Sequence, residues 1–278
     1  MKKFQFIIGC AVVLLTACNS NNATEEKEKP MTKEKAIVAE NVSYGSDSAK
    51  LTGFVAYDSS AAKLPIVLVV HEWWGLNDFV KNRVKQLADL GYLALAVDMY
   101  GNGKIGNNPD EAKALAMPFY TNPAYAKSRF DAALAKAKTY SQADTSKIAA
   151  IGFCFGGTMV LNMARLGEPL TAVVSFHGGL AGVPADKNLL KAKILVCHGA
   201  DDQFVKPEEV AAFKKQMDSI GAIYTFKEYA GATHAFTNPD ATANGKKFNM
   251  PIAYNAAADT ASWKEMKDFF GKNLNRQN

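Results

Sequence analysis

Cysteine is scarce in this chain, with four in 278 residues. Cys10 and Cys18 lie in the N-terminal segment, which leaves Cys154 and Cys197 for the rest of the chain. Two cysteines exclude the disulfide framework of a small secreted domain, although a single Cys154–Cys197 bridge is an alternative. The four histidines show no spacing with Cys, Asp or Glu that is typical of a metal site. We therefore expect neither a metal nor an organic cofactor.

A hydrophobic stretch long enough to cross a membrane is also missing at the N-terminus. The apolar stretch Phe4–Leu15 follows two lysines and is about a dozen residues long, whereas a transmembrane helix needs about 20. This pattern is typical of a cleaved signal segment. The string LTAC at 15–18 resembles the cleavage and lipidation box of bacterial lipoproteins. The resemblance implies a signal peptide over residues 1–17, acylation of Cys18, and a lipid anchor in the bacterial cell envelope. The alternatives are an ordinary secretory signal cleaved nearby and an uncleaved helix.

Strong net charge is the third absence. The formal charge is +5, and without the two lysines of the signal segment it is +3, with lysines scattered among acidic residues. That distribution gives no support to a nucleic-acid partner.

Residues 18–35 consist mainly of Asn, Thr, Glu and Lys, and we predict a flexible tether there. Residues 36–278 then suit one α/β domain, which we expect to be a monomer.

Short β-rich apolar stretches alternate with amphipathic stretches over this domain. The alternation predicts parallel strands joined by helices, with the most apolar strands covered on both faces. The predicted helices cover residues 77–90, 124–140, 156–165, 207–220 and 260–274, and the predicted strands cover 65–70, 92–97, 147–151, 170–176, 192–197 and 223–229. Two earlier strands, 37–44 and 50–57, are predicted to form an antiparallel edge. Because ligands bind beyond the carboxyl ends of such strands, we expect the chemistry there.

The strand that ends at Ile151 is followed by the sequence GFCFGG at residues 152–157 and then by a helical stretch. This is the pattern of a nucleophile elbow with cysteine in the serine position. Glycine is needed at 152 and 156 because the chain turns sharply and neighbouring backbones come close. We interpret Cys154 as the nucleophile, the alternative being a buried structural cysteine. The N-terminus of the following helix favours negative charge and so promotes the reactive thiolate.

An acyl-transfer site also needs donors for the oxygen anion that forms on the attacked carbonyl. In an elbow of this kind, one donor is the amide after the nucleophile and the other is an amide in the loop after an earlier strand. The first is therefore the amide of Phe155. The loop after Val70 reads HEWWG over residues 71–75, so we predict the amide of Trp73 as the second.

The order of nucleophile, acid and histidine along the chain selects the remaining partners. His234 follows the strand that ends at Tyr229 and is predicted as the base. His71 and His177 are interpreted as loop or core hydrogen-bonding residues, and His198 is interpreted as a support for the acid loop. The acid lies in the loop after strand 192–197, where Asp201 and Asp202 are adjacent. One of the two orients the imidazole, and the other caps the turn.

Five strings taken together resemble the dienelactone hydrolase family. They are HEWWG at 71–75, VDMYG at 97–101, the cysteine elbow, DQFV at 202–205 and HAF at 234–236. The resemblance covers nearly the whole domain. It implies an α/β-hydrolase fold, with a mostly parallel central sheet and helices on both faces, and the hydrolysis of small esters or lactones. It also implies Asp202 rather than Asp201 as the acid, and places Glu72 beside the resting thiol, where it takes part in controlling the protonation of the thiol.

The sequence departs from the dienelactone-cleaving members of the family where they hold the carboxylate of the substrate. Those members use two arginines, whereas the matching places here carry Asn102 and Asn238. Asparagine supplies no charge, and the nearby Lys104 lacks the fork geometry of a guanidinium. The departure weakens the case for a true dienelactone substrate.

Aromatic residues near strand ends are predicted to line an apolar pocket, although more than half of them are expected to be ordinary core. They are Trp73, Phe153 and Phe155 and, as substrate-binding residues, Tyr100, Phe204 and Phe236. The segment 101–125, which contains three prolines, is interpreted as a loop over the entrance.

The expected function is hydrolysis of small esters, lactones or thioesters through an acyl-enzyme. Two alternatives are a carboxylesterase or thioesterase without lactone preference, and a non-catalytic binding lipoprotein on the same fold.

Overall fold

The computed structural model describes residues 34–46 and 49–274, so the predicted signal peptide, Cys18 and the tether up to residue 33 lie outside the described residues. The strands are β1 (Ile37–Ser46), β2 (Ala49–Asp58), β3 (Leu64–Val70), β4 (Leu93–Val97), β5 (Ala143–Phe153), β6 (Ala172–Phe176), β7 (Lys193–Gly199) and β8 (Tyr224–Tyr229). The helices are α1 (Asp78–Asp89), α2 (Pro109–Thr121), α3 (Pro123–Ala137), α4 (Phe155–Arg165), α5 (Pro207–Ser219), α6 (Ala241–Phe248) and α7 (Ala256–Asn273).

The eight strands form one sheet in the order β1-β2-β4-β3-β5-β6-β7-β8. The strands from β4 to β8 in this order are parallel, and β1 and β2 extend the sheet as an antiparallel edge. Every residue of β3, β4 and β6 is buried, as expected for parallel strands covered on both sides. The predicted α/β-hydrolase fold class and the predicted antiparallel edge are confirmed.

Helices cover both faces of the sheet because successive side chains of a strand point to opposite faces. In β3, Ile66 and Leu68 pack into a core shared with α3, α4 and α5. The alternate residues Val67 and Val69 pack into a second core with α1 and α7. The two cores fix the sheet between helix layers and leave its carboxyl edge to the connecting loops.

The segment 101–125 is mainly helical, so its interpretation as a loop is wrong. Pro109 and Pro123 stand in the first turn of α2 and α3, where a missing N–H removes no helical hydrogen bond. Asn108 and Asn122 cap the two helices by accepting from backbone amides. These prolines therefore start helices rather than exclude them.

Three further differences from the predicted elements concern β5, α6 and α7. β5 begins at Ala143, four residues earlier than predicted. Its first residues are mainly polar and not buried, so they carry no apolar pattern that would predict a strand. The short helix α6 is missing from the prediction, and α7 begins earlier than predicted, with Asn255 accepting from the amide of Ala258.

Among residues 34–46 and 49–274, no helix combines the length and apolar character needed to span a membrane.

Candidate active site

Cys154 lies at the sharp turn between β5 and α4. Its φ of +52° is in the left-handed region, which a cysteine adopts only where the surrounding structure holds it. A Cβ at Gly152 would come 2.0 Å from the carbonyl oxygen of Gly156, and a Cβ at Gly156 would come 2.1 Å from that of Val70. The predicted need for glycine at both positions is confirmed. The turn holds the half-buried thiol at the carboxyl edge of the sheet.

Three side chains meet at this edge in a continuous chain of contacts. His234 Nε2 lies 3.0 Å from Cys154 Sγ, and His234 Nδ1 lies 2.8 Å from Asp202 Oδ2. The three residues come from the ends of β5, β7 and β8, which are neighbours or near neighbours in the sheet. The fold thus brings together residues that are far apart in the sequence.

Asp202 and Asp201 have different roles in the loop after β7. The second carboxylate oxygen of Asp202 accepts from the amides of Phe204 and Val205 at 2.8 and 3.3 Å. Asp201 is exposed, and its amide donates to the carbonyl oxygen of Ala232. The structure therefore brings Asp202, and not Asp201, to the imidazole.

The electrostatics of His234 and Asp202 favour their charged forms. Burial alone would lower the pKa of the imidazole, but the adjacent sulfur of Cys154 and the carboxylate of Asp202 raise it well above the usual 6.5. Burial likewise opposes charge on Asp202, but the hydrogen bond with His234 brings its pKa below the usual 3.8. An imidazolium in this position can neutralise a thiolate on one side while the carboxylate fixes the ring on the other.

Glu72 is almost completely buried beside this group, so its carboxyl is not solvated. Its Oε2 accepts from the Asn238 side-chain amide at 2.6 Å, and its Oε1 has no hydrogen-bond partner among the described residues. Desolvation raises the pKa of its carboxyl to about 7. A carboxyl group in this state changes charge near neutral pH, as acid–base groups at reaction centres often do.

A cavity of about 230 Å³ opens onto Cys154 and His234. Its aromatic lining consists of Trp73, Trp74, Tyr120 and Phe204. Met250 and Ile252 add aliphatic surface, and Glu72 and Glu209 add carboxylates. The volume suits a small substrate, and most of the lining side chains are apolar.

Two of the three predicted substrate-binding aromatics lie outside the lining of this cavity. Tyr100 is buried and donates through its hydroxyl to the carbonyl oxygen of Trp73 at 2.8 Å. Phe236 is fully buried against the rings of His177 and Tyr229. Only Phe204, which is 51% exposed, contributes to the cavity. The side chains of Tyr100 and Phe236 point into the core. The position of a residue near the end of a strand does not show which way its side chain points.

The sequence analysis missed Tyr120 and Glu209, which reach the cavity from α2 and α5. Neither residue belongs to a motif, and helical spacing alone does not show which face meets the site. The two predicted oxyanion donors are well placed in the chain, since Phe155 is the first residue of α4 and Trp73 follows β3 at the cavity.

His177 is a core hydrogen-bonding residue, as interpreted from the sequence, and it contacts the elbow directly. Its Nδ1 accepts from the amide of Cys154 at 3.1 Å, and its Nε2 lies 2.7 Å from Thr237 Oγ1. Burial lowers the pKa of His177 well below 6.5, so the ring is neutral and can accept this hydrogen bond. The arrangement supports the strained backbone of the nucleophile.

The residues considered for a substrate carboxylate do not form a cationic subsite. Asn238 is buried and bound to Glu72, while Asn102 and Lys104 are exposed and lie outside the cavity lining. Among the described lining residues there is neither lysine nor arginine. The structure thus supports the departure from dienelactone-cleaving relatives noted in the sequence.

Iodoacetamide is expected to modify Cys154 and to leave Cys197 untouched in the folded protein. Both thiols are free, so the alternative of a bridge between them is wrong. Cys197 is fully buried, and burial raises its pKa to about 12. Cys154 is partly exposed at the cavity, and its sulfur lies 3.0 Å from His234 Nε2, so a charged imidazole is in place to assist its reaction. Peptide mass spectrometry after timed labelling measures both sites, and labelling of Cys154 no faster than that of N-acetylcysteine would contradict this expectation.

Glu72→Gln is expected to stabilise the protein increasingly as pH rises. The pKa of Glu72 is about 7 in the folded protein, against 4.5 as the ordinary value. Between these values the folded state holds a proton that the unfolded state has lost, so the wild type loses stability as pH rises. Such a shift corresponds to about 3 kcal/mol. Urea unfolding at about pH 4 and about pH 8 measures the difference, with the exposed Glu208→Gln as control. A difference that is the same at both pH values would refute it.

Comparison with known proteins agrees with this geometry. Residues 51–274 match the dienelactone hydrolase family. A protein of Aquifex aeolicus (strain VF5) described as "Putative carboxymethylenebutenolidase" is 31% identical over 202 residues, which cover 71% of this chain and 86% of that protein. "Protein usf" of Aquifex pyrophilus is 30% identical over 203 residues, with the same coverage of 71% and 86%.

Solved structures show the same similarity. The dienelactone hydrolase-like promiscuous phosphotriesterase P91 from metagenomic libraries is 34% identical, with a TM-score of 0.80, and the match covers 86% of this chain and 99% of that one. The family match spans most of the described domain, including the elbow, the acid loop and the histidine. The chain therefore belongs to the dienelactone hydrolase family and is a hydrolase that acts on ester bonds.

Proposed function

We propose that the domain hydrolyses small esters, lactones or thioesters through an acyl-enzyme on Cys154. The observation that carries this proposal is the unbroken contact from Cys154 Sγ to His234 and on to Asp202. Nucleophile, base and orienting acid within hydrogen-bond distance are what nucleophilic acyl transfer requires. This arrangement favours an enzyme over a non-catalytic binding lipoprotein on the same fold.

In the acylation step, the Cys154 sulfur attacks the carbonyl carbon and forms a carbon–sulfur bond. The carbonyl oxygen takes the negative charge and accepts hydrogen bonds from the amides of Phe155 and Trp73. The carbon–oxygen bond to the alcohol then breaks, and His234 delivers its proton to the departing oxygen. For a lactone the alcohol stays attached to the acyl chain.

In the deacylation step, water attacks the thioester and His234 takes its proton. The second tetrahedral intermediate collapses, the carboxylic acid leaves, and the sulfur regains its original state. Asp202 keeps Nε2 of His234 directed at the reacting atoms in both steps. Glu72, buried next to the thiol, adjusts the local charge as it gains or loses a proton.

Incubation of the full chain with phenyl acetate tests the covalent step. Mass spectrometry of the quenched protein should show one acetyl group on Cys154 and none on Cys197. Acetylation elsewhere, or none before product appears, would reject the mechanism. Rates for dihydrocoumarin and phenyl propionate, a matched lactone and open-chain ester, then distinguish a lactonase from a general carboxylesterase.

A second candidate substrate class is neutral phosphotriesters. The related protein P91 is described as a promiscuous phosphotriesterase. A triester carries no negative charge and needs no cation from the cavity, which has neither lysine nor arginine in its described lining. Release of nitrophenol from a diethyl nitrophenyl phosphate, lost in Cys154→Ala, would support this class, and an unchanged rate in that variant would remove it.

The N-terminal pattern leads to a separate proposal on location. We propose that residues 1–17 are removed and that Cys18 carries the lipid that anchors the domain in the bacterial cell envelope. The short apolar stretch and the LTAC string support it. In a bacterial host, Cys18→Ala should move the protein from the membrane fraction to the soluble fraction, and unchanged membrane association would argue against the anchor.

A further inference from the structure

Apart from His234, the described lining of the cavity carries carboxyl groups and no cationic side chain. Glu72 and Glu209 both belong to the lining, and the described lining contains neither lysine nor arginine. Since a substrate must lose much of its hydration on entering, the sign of these charges affects which substrates bind. Apart from His234, no described side chain of the lining offers a positive charge to a negatively charged substrate.

Glu209 is held rigidly in the first turn of α5. Its Oε1 accepts from the amides of Leu180 and Ala181 at 2.5 and 3.0 Å, in the loop after β6. Arg165 lies behind this loop, buried, where its guanidinium donates to the carbonyl oxygen of Leu180 at 2.8 Å. Arg165 offsets part of the negative charge from the core side, and Glu209 belongs to the lining of the cavity.

Glu72, another residue of the cavity lining, adds an independent observation. It is 1% exposed, and its Oε1 has no hydrogen-bond partner among the described residues. A buried acceptor without a partner costs free energy, so a ligand that supplies a donor or a positive charge is favoured there. The Asn238 amide satisfies only the other oxygen.

Aromatic side chains complete the surface. Trp73 and Trp74 pack edge to face with ring centroids 5.0 Å apart, and Tyr120 and Phe204 also line the cavity. Aromatic faces attract ammonium groups, most strongly when the site excludes water. Carboxylates combined with several aromatic rings are the surroundings in which an alkylammonium group is bound more tightly than its uncharged isostere.

We infer that this cavity selects esters that carry an ammonium group and disfavours esters that carry a carboxylate. The inference rests on the proposed hydrolase function and names the substrate class of the same site. The substrate is therefore a small cationic ester, thioester or lactone. Its positive charge lies against the aromatic rings and Glu209 while its carbonyl group faces Cys154.

Three acetyl thioesters of similar shape test this selection with the full chain. They are acetylthiocholine, its uncharged isostere with carbon in place of the quaternary nitrogen, and an analogue that ends in a carboxylate. We expect kcat/KM to fall by about tenfold at each step from cation to neutral to anion. A second set carries the same three groups on the acyl chain of a phenyl ester, because the charge can lie on either side of the carbonyl.

Two further measurements assign the selection to the cavity. Glu209→Gln keeps an oxygen acceptor for the two amides, and it should reduce the ratio of cationic to neutral kcat/KM. Glu208→Gln removes the same charge from an exposed neighbour outside the lining and should retain the wild-type ratio. In the wild type, added salt should lower the ratio, because mobile ions screen charges near the opening.

The outcomes separate this inference from the proposed function. Hydrolysis of the neutral esters without a cationic preference in either set would overturn the inference and leave the hydrolase proposal standing. A ratio that Glu209→Gln and Glu208→Gln change equally would also overturn it. Failure to hydrolyse any member of either set, together with no acyl group on Cys154, would overturn both.

Discussion

Replacing Cys154 with alanine is expected to lower kcat/KM for a small ester by about 10⁴-fold or more. The sulfur supplies the bond-forming electron pair, and no other nucleophile among the described cavity residues lies within 3.0 Å of His234 Nε2. The remaining rate would come from the oxyanion donors and from binding alone. Steady-state hydrolysis of phenyl acetate measures the effect.

Two variants control for this result. Cys154→Ser keeps a nucleophile in the same strained turn and should retain more activity than alanine, although the hydroxyl is a weaker nucleophile in a site that suits a thiolate. Cys197→Ala removes the other thiol of the domain, which is buried away from the cavity, and should keep the wild-type rate per folded molecule. If Cys154→Ala kept a tenth of the activity or more, the acyl-enzyme mechanism would have to be abandoned.

Asp202→Asn is expected to lower kcat by about 10² to 10⁴-fold with little effect on the fold. An amide in this place can donate to Nδ1 of His234 and so hold the ring with its proton on the wrong nitrogen. It also removes the negative charge that helps to raise the pKa of His234. The bonds that Asp202 accepts from Phe204 and Val205 can be kept by the amide oxygen.

Asp201→Asn is the matched control, since it makes the same change one residue earlier on an exposed side chain. It should leave kcat close to the wild-type value. Equal losses in the two variants would show that the loop, rather than the contact with His234, matters for the rate. A pH–rate profile of Asp202→Asn adds a second readout, because the lower pKa of His234 should move its inflection toward lower pH.

The sheet and the elbow could be predicted because their signals are local. Continuous apolar stretches such as Pro65–Val70 are typical of buried parallel strands, and the glycines around Cys154 reflect backbone contacts that no side chain allows. The chain order of nucleophile, acid and histidine then selects His234. These inferences needed no knowledge of which helix face meets the site.

The cavity itself could not be predicted in the same way. Tyr100 and Phe236 end strands but point into the core, whereas Tyr120 and Glu209 reach the cavity from helices. Orientation depends on the packing of α2 and α5 against the sheet, which is a property of the tertiary structure. The prolines of segment 101–125 led to the wrong prediction of a loop, because a proline that begins a helix and one that interrupts it look alike in sequence.

The choice between Asp201 and Asp202 shows the same limit at the scale of one residue. Both follow β7 and both are acidic, so composition and spacing do not distinguish them. The turn decides, because the amides of Phe204 and Val205 hold one carboxylate in the direction of the imidazole. The family resemblance favoured the same residue by matching the longer string DQFV.

The reacting groups come from loops after β3, β5, β7 and β8, and β3 pairs with β5 although β4 and three helices separate the two strands in the sequence. Parallel strands cannot pair through a tight hairpin, so these contacts form only when long connections have closed. No fragment of the domain that lacks one of these strands can hold the four groups together. During refolding, the return of catalysis therefore marks the closing of the last long-range contacts, later than the return of helical signal.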